Sequence, residues 1–118
     1  MEEGLILFPN DSIEMNYQEL YESTFEQLKK DFYPFVDLGE LPKTLNAEIL
    51  KEVVEKSLEK LLRDEPQSLG AVLYRMDVNE KATKAAIASS KVGDSTRILA
   101  FRILKREAQK VWLRKTLS

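Results

Sequence analysis

The chain has 118 residues, with 18 Lys/Arg against 20 Asp/Glu and neither His nor Cys. That length suits one domain able to bury its own core, while the absent residue types exclude disulfides, thiolate nucleophiles, thiolate-held metals and the imidazole base on which most hydrolase sites depend. The net charge of −2 hides a split, because residues 1 to 80 carry 18 acidic and 8 basic side chains whereas residues 81 to 118 carry 10 basic ones against Asp94 and Glu107 alone. A basic arm behind an acidic body either folds back onto that body or meets an acidic partner.

Residues 1–11 are expected to form an N-terminal extended segment ahead of a single helical domain over 12–118. The apolar cluster Leu5 to Phe8, closed by Pro9 and Asn10, follows no basic region and is too short for a signal sequence or a membrane span. The expectation is a soluble, cytoplasmic protein. From Ser12, the positions Ile13, Tyr17, Leu20, Thr24, Leu28, Phe32 and Phe35 recur at spacings of three and four, one face of an amphipathic helix that Pro34 ends. Asp11 with Glu14 and Asn16 with Glu19 both have capping-box spacing, so its start is open by one turn.

Pro34 to Leu45 fits neither helical nor strand period and reads as a loop with its apolar residues turned inward. Asn46 or Thr44 then caps a second helix with a stripe of Ile49, Leu50, Val53, Val54, Ser57, Leu58, Leu61 and Leu62. On its outer face Glu52 precedes Lys56, and Glu59 precedes Arg63, in the order that favours intrahelical pairing. Asp64-Glu65-Pro66 stops this helix and starts a short third one carrying Leu69, Val72, Leu73 and Met76. Asp77 and Glu80 have capping-box spacing ahead of a fourth helix rich in Ala82, Ala85, Ala86 and Ala88, whose small side chains permit close helix approach. Ser89 to Gly93 reads as a turn, after which Asp94 or Ser95 caps a fifth helix to about Thr116. The fold class is all-α: a compact bundle of four to five helices, with a short helical hairpin between the second and the last long helix.

Function is sought on the fifth helix. Phe101, Leu104, Ala108, Val111 and Trp112 share one arc and are expected in the core. Leu99, Ile103, Leu113 and Leu117 form a second apolar strip among Arg102, Arg106, Lys110 and Arg114. Two explanations serve that strip: a central helix contacted on two sides, with cationic stems reaching outward, or an interface. The acidic faces of the first two helices, with Glu19, Glu22, Glu26, Glu52, Glu55 and Glu59, are candidate counter-charges for the cations. The expected function is a non-catalytic protein-interaction or regulatory module, self-associating as a homodimer or binding an acidic protein through Leu99, Arg102, Ile103, Arg106, Lys110, Leu113 and Arg114.

The alternative is nucleic-acid binding, with a helix-turn-helix-like segment over 69–90 and Lys81, Lys84 and Lys91 reaching phosphates. It is weakened by an Ala-rich recognition helix without Arg, Asn or Gln to read bases. No catalytic residue, cofactor or metal site is expected. The carboxylates Glu48, Glu52, Glu55 and Glu59 share a helix with Lys51, Lys56 and Lys60 and read as a solvated face, and an acidic body argues against a membrane surface.

Overall fold

A computed structural model of the chain describes residues 6–9, 16–88 and 94–117, and among these every regular element is helical. Helix α1 spans Tyr17–Phe32, α2 Ala47–Asp64, α3 Leu69–Met76, α4 Glu80–Ala88 and α5 Ser95–Leu117, with a 3-10 turn, Pro66–Ser68, joining α2 to α3. The chain is the expected all-α bundle, with two short helices between α2 and the long last helix. Ser12, Ile13 and the Asp11/Glu14 capping box lie outside the described residues, as does the turn at 89–93.

Local chemistry sets the helix ends. The Asn16 side chain accepts from the backbone N–H of Gln18 at 2.8 Å and of Glu19 at 3.4 Å, so the second of the two capping boxes starts α1. Its last residue is Phe32, two before Pro34, whose ring disfavours helical backbone at Tyr33. Asn46, not Thr44, caps α2 by accepting from Ile49 N–H at 2.8 Å. In place of the expected Glu52–Lys56 and Glu59–Arg63 pairs on that helix, Lys60 and Arg63 both reach Asp64, at 3.6 and 3.2 Å.

The junction of α3 and α4 departs from the sequence expectation. Asp77 does not cap α4; it closes α3 in the left-handed conformation, φ 59°. Its N–H bonds Tyr74 O and the N–H of Val78 bonds Leu73 O, both at 3.1 Å. These two bonds are the Schellman pattern, in which Gly usually holds the left-handed position and Asp is among the few residues able to replace it. The cap of α4 passes to Asn79, whose side chain accepts from Ala82 N–H at 2.9 Å. Close approach through α4 alanines is not seen at Ala85 and Ala88, which are exposed.

Helix α5 is the axis of the fold, packed chiefly against α2 and α1 and also meeting α3 and α4. The main core joins Phe25, Leu28 and Phe32 of α1, Leu50, Val54, Leu58 and Leu61 of α2, Val72, Leu73 and Met76 of α3, and Leu99, Ala100, Ile103 and Leu104 of α5. Val36 and Leu45 of the intervening loop are buried in it as well. A smaller cluster of Leu20, Ala108 and Val111 is completed from outside the helices by Phe8, whose ring centroid lies 5.9 Å from that of Tyr21 and 6.3 Å from that of Tyr17. Phe8 thus anchors the described residues 6–9 on the α1–α5 seam.

Candidate interaction surface on the last helix

Twenty-three residues at 1.5 Å each make α5 a rod of about 34 Å, long enough to present different chemistry on different sides. At 100° per residue its buried positions Leu99, Ala100, Ile103, Leu104, Glu107, Ala108 and Val111 fill a continuous arc of about 180°. The two apolar strips seen in the sequence are the two edges of this one arc, divided near its middle by Arg114 and Glu107, with Lys110 beside Ile103 toward one edge. Leu99 and Ile103 are therefore core residues, 4% and 0% exposed, and not part of an outer surface. Phe101 shows the converse. Expected inside, it is 39% exposed, and Trp112 is only half-buried.

The middle of the arc is polar because α1 supplies partners for it. Lys110 Nζ lies 3.0 Å from Asp31 Oδ2 and 2.6 Å from Glu107 Oε2, and donates to the Arg75 carbonyl oxygen at 3.3 Å. Gln27 donates to the same Asp31 oxygen at 3.1 Å and accepts from Arg114 at 3.0 Å, while Arg75 donates to the Asp31 carbonyl oxygen at 3.4 Å. Glu107 is completely buried. The ammonium touches it outside hydrogen-bonding alignment, so both carboxylate oxygens lack a hydrogen-bond partner.

Such a carboxylate is costly to ionise. Burial first, then the neighbouring Asp31 carboxyl, push Glu107 up to about 8 against the opposing pull of Lys110. A proton on Glu107 gives it a donor to share with Asp31, leaving one negative charge opposite one ammonium. Burial pulls Lys110 downward, yet its close contacts with the Glu107 and Asp31 carboxyls outweigh that and hold it above its ordinary value.

Arg106 is also engaged within the chain. It reaches Asp77 through Nη2 to Oδ2 at 2.6 Å and Nε to the carbonyl oxygen at 3.1 Å, and donates to Gln109 at 2.7 Å. Three of the expected site cations, Arg106, Lys110 and Arg114, are thus held by Asp77, by Asp31 with Glu107, and by Gln27. The counter-charges are not the glutamates on the outer faces of α1 and α2. Those side chains stay toward solvent, whereas Asp31 and Gln27 stand where α1 faces α5.

Arg102 is different: it is exposed and makes no ion pair among the described residues. Near it stand Lys105, whose ammonium sits 5.5 Å from the centre of the Phe101 ring, and, in the first turn of the helix, Arg97, likewise exposed and without an ion pair among the described residues. Leu113 is 36% exposed and Leu117 80%. All of these except Leu117 line an open groove of about 1420 Å³, walled on one side by Leu7 and Pro9 and on another by Asp77, Val78 and Asn79. Among the described residues, five cations, Lys51, Arg97, Arg102, Lys105 and Arg106, meet two carboxylates there, Asp77 and Asp94, three more positive charges than negative.

Of the alternative nucleic-acid residues, Lys81 and Lys84 do not line this groove. Lys81 is exposed on α4, Lys84 pairs loosely with Glu80 at 3.9 Å, and Lys91 lies outside the described residues. Thr83 on the same helix is buried and donates to Asn79 O at 2.7 Å. Among the described residues no group of three or more acidic side chains could hold a metal ion, and no helix is long and apolar enough to cross a membrane.

Arg97, Phe101 and Lys105 were not singled out as surface residues from sequence, nor was Asp31 singled out as a partner. Glu107 carried a signal, since it alone interrupts the basic run of α5 with a negative charge. No protein-family model, curated protein or solved structure matches the chain.

Proposed function

We propose that the protein is a non-catalytic protein-interaction module whose working surface is the outward face of α5. The observation that carries this reading is the unequal use of the cations of that helix. Arg106, Lys110 and Arg114 are satisfied internally, while Arg97, Arg102 and Lys105 stand beside the exposed ring of Phe101 and the partly exposed Leu113 along one groove. A rim of charge around exposed aromatic and aliphatic side chains is the composition of a binding surface. Without His or Cys, the chain also lacks the side chains that most often act as base or nucleophile near neutral pH.

Self-association is the narrower form of this reading. With Leu99 and Ile103 buried, an isologous dimer on this face would rest on Phe101, Leu113 and Leu117 and would bring Arg97, Arg102 and Lys105 close to their own copies across the two-fold axis. Such like-charge contacts are unfavourable, so an acidic partner fits the face better than a second copy. Molar mass by light scattering separates the two: a monomer at low and high salt agrees with the acidic partner, a salt-resistant dimer with self-association.

The module itself is tested by site-directed cross-linking, for which the cysteine-free chain is suited. A photo-reactive label on Gln109→Cys, in the groove, should yield protein adducts in cells that the same label on Glu59→Cys of α2 does not. Equal adducts from both positions, or none, would contradict a working surface on α5. Adducts with nucleic acid would favour the alternative function.

A further inference from the structure

The groove on α5 restricts what can occupy it. At about 1420 Å³ and open to solvent, it exceeds the roughly 300 to 1,000 Å³ of ordinary small-ligand pockets, so a segment of a macromolecule suits it better. From Phe101 to Leu113 the helix rises about 18 Å at 1.5 Å per residue, the length of about three helical turns. Along that length Phe101, Trp112 and Leu113 offer apolar contact, with Arg97, Arg102 and Lys105 as the cationic elements beside them.

The fold offers a bound segment no sheet edge, since no strand exists among the described residues. A guest peptide therefore gains no main-chain pairing from a sheet edge here, and a helix, which satisfies its own main chain, is the form that suits an apolar groove of this length. Among the described lining residues, five cations against two carboxylates favour negative charge on it, and the apolar lining favours a hydrophobic face. A nucleic-acid strand would find phosphate partners but no use for the aliphatic lining of Leu7, Pro9, Ile98 and Leu113.

We propose that the α5 groove binds an acidic amphipathic helix of a partner protein, its apolar face against Phe101, Trp112 and Leu113 and its carboxylates on Arg97, Arg102 and Lys105. This inference rests on the reading of α5 as the working surface and adds the chemistry of its occupant. Partner residues at i, i+3, i+4 and i+7 form the inserted face, and acidic residues flank that face.

The test begins with selection of helix-length random peptides, displayed on phage, against the full chain. The enriched pool should carry net negative charge and apolar residues at helical spacing. Enrichment of basic or non-periodic peptides, or no enrichment, would overturn the proposal. A selected peptide, made without Trp, is then titrated while the fluorescence of Trp112, the single tryptophan of the chain, is followed. Binding should be saturable, weaken as salt rises, and fall by at least about tenfold for Arg97→Glu with Arg102→Glu, a ratio readable directly from the two Kd values.

Thermal melting of the double variant should match that of the parent, since both side chains are exposed. Unchanged affinity in the variant, equal affinity for a scrambled peptide of the same composition, or tighter binding of oligothymidylate would each overturn the proposal. Failure here alongside groove-specific protein adducts from Gln109→Cys removes only the acidic helix. Failure of both removes the working surface as well.

Discussion

The two sides of α5 carry the same kinds of residue to opposite ends. On the inner side Lys110 and Arg114 lie against α1, where Asp31 and Gln27 meet them and a buried Glu107 completes the cluster. On the outer side Arg102 and Lys105 face solvent, as does Arg97 in the first turn, and Phe101 takes the place of a carboxylate as neighbour of Lys105. A basic sequence therefore does not define a basic surface. What matters is which cations the fold has already provided with partners, and that is decided by the neighbouring helices.

The comparison breaks first if the inner face is not a core. Ile103→Glu would place an unpaired charge at a completely buried position, a change expected to cost about 3 to 5 kcal/mol and most of the stability of a domain this size. Loss of helical circular dichroism at room temperature, or a collapse of the melting temperature, is the expected result. A folded variant with altered molar mass would return Ile103 to an interface.

Next in size is the pH dependence of the polar cluster. Glu107 is raised from an ordinary 4.5 to about 8 in the folded state. Between those values the native state holds a proton that the unfolded chain has released, so stability falls with rising pH by up to about 1.4 kcal/mol per unit. The contribution is complete below about pH 4.5 and lost as pH rises through about 8. The groups facing Glu107 are Asp31 of α1 and Lys110 of its own helix, with Arg75 of α3 bonded to the same cluster. Urea unfolding of Glu107→Gln at pH 5, 7 and 9 should lack most of the parent's alkaline decline. An identical decline in both would place its origin elsewhere.

A smaller effect belongs to Asp77. Glycine there would relieve a left-handed backbone worth about 1 kcal/mol, and would lose a part-exposed ion pair with Arg106 worth about as much or less. Asp77→Gly is expected to leave stability within about 0.5 kcal/mol of the parent, whereas Asp77→Ala keeps the strain and loses the pair and should melt lower. The smallest effect is on the outer face, where Arg102→Ala should change stability by less than about 0.5 kcal/mol, measurable in the same urea titrations.

Much of the bundle was legible because its signals are local: the Asn46 cap, the α2 stripe and the Pro66 break all follow from neighbours in sequence. The face of α5 was harder to read, for a physical reason. A charge at the centre of an apolar arc looks like a boundary, and only the position of Asp31, 76 residues earlier in the chain, makes Glu107 and Lys110 compatible with burial. Asp77 was misread similarly, since Asp serves both helix starts and left-handed helix ends, and the Arg106 bond that accompanies the second role comes from a distant part of the chain.

The most direct test replaces one cation from each side and compares equilibrium unfolding in urea near neutral pH. Lys110→Met should lose about 2 to 4 kcal/mol, because Asp31 is left buried without its ammonium. Lys105→Met should stay within about 0.5 kcal/mol of the parent. Equal losses, or a larger loss for Lys105→Met, would contradict the division of α5 into a satisfied inner face and an available outer one.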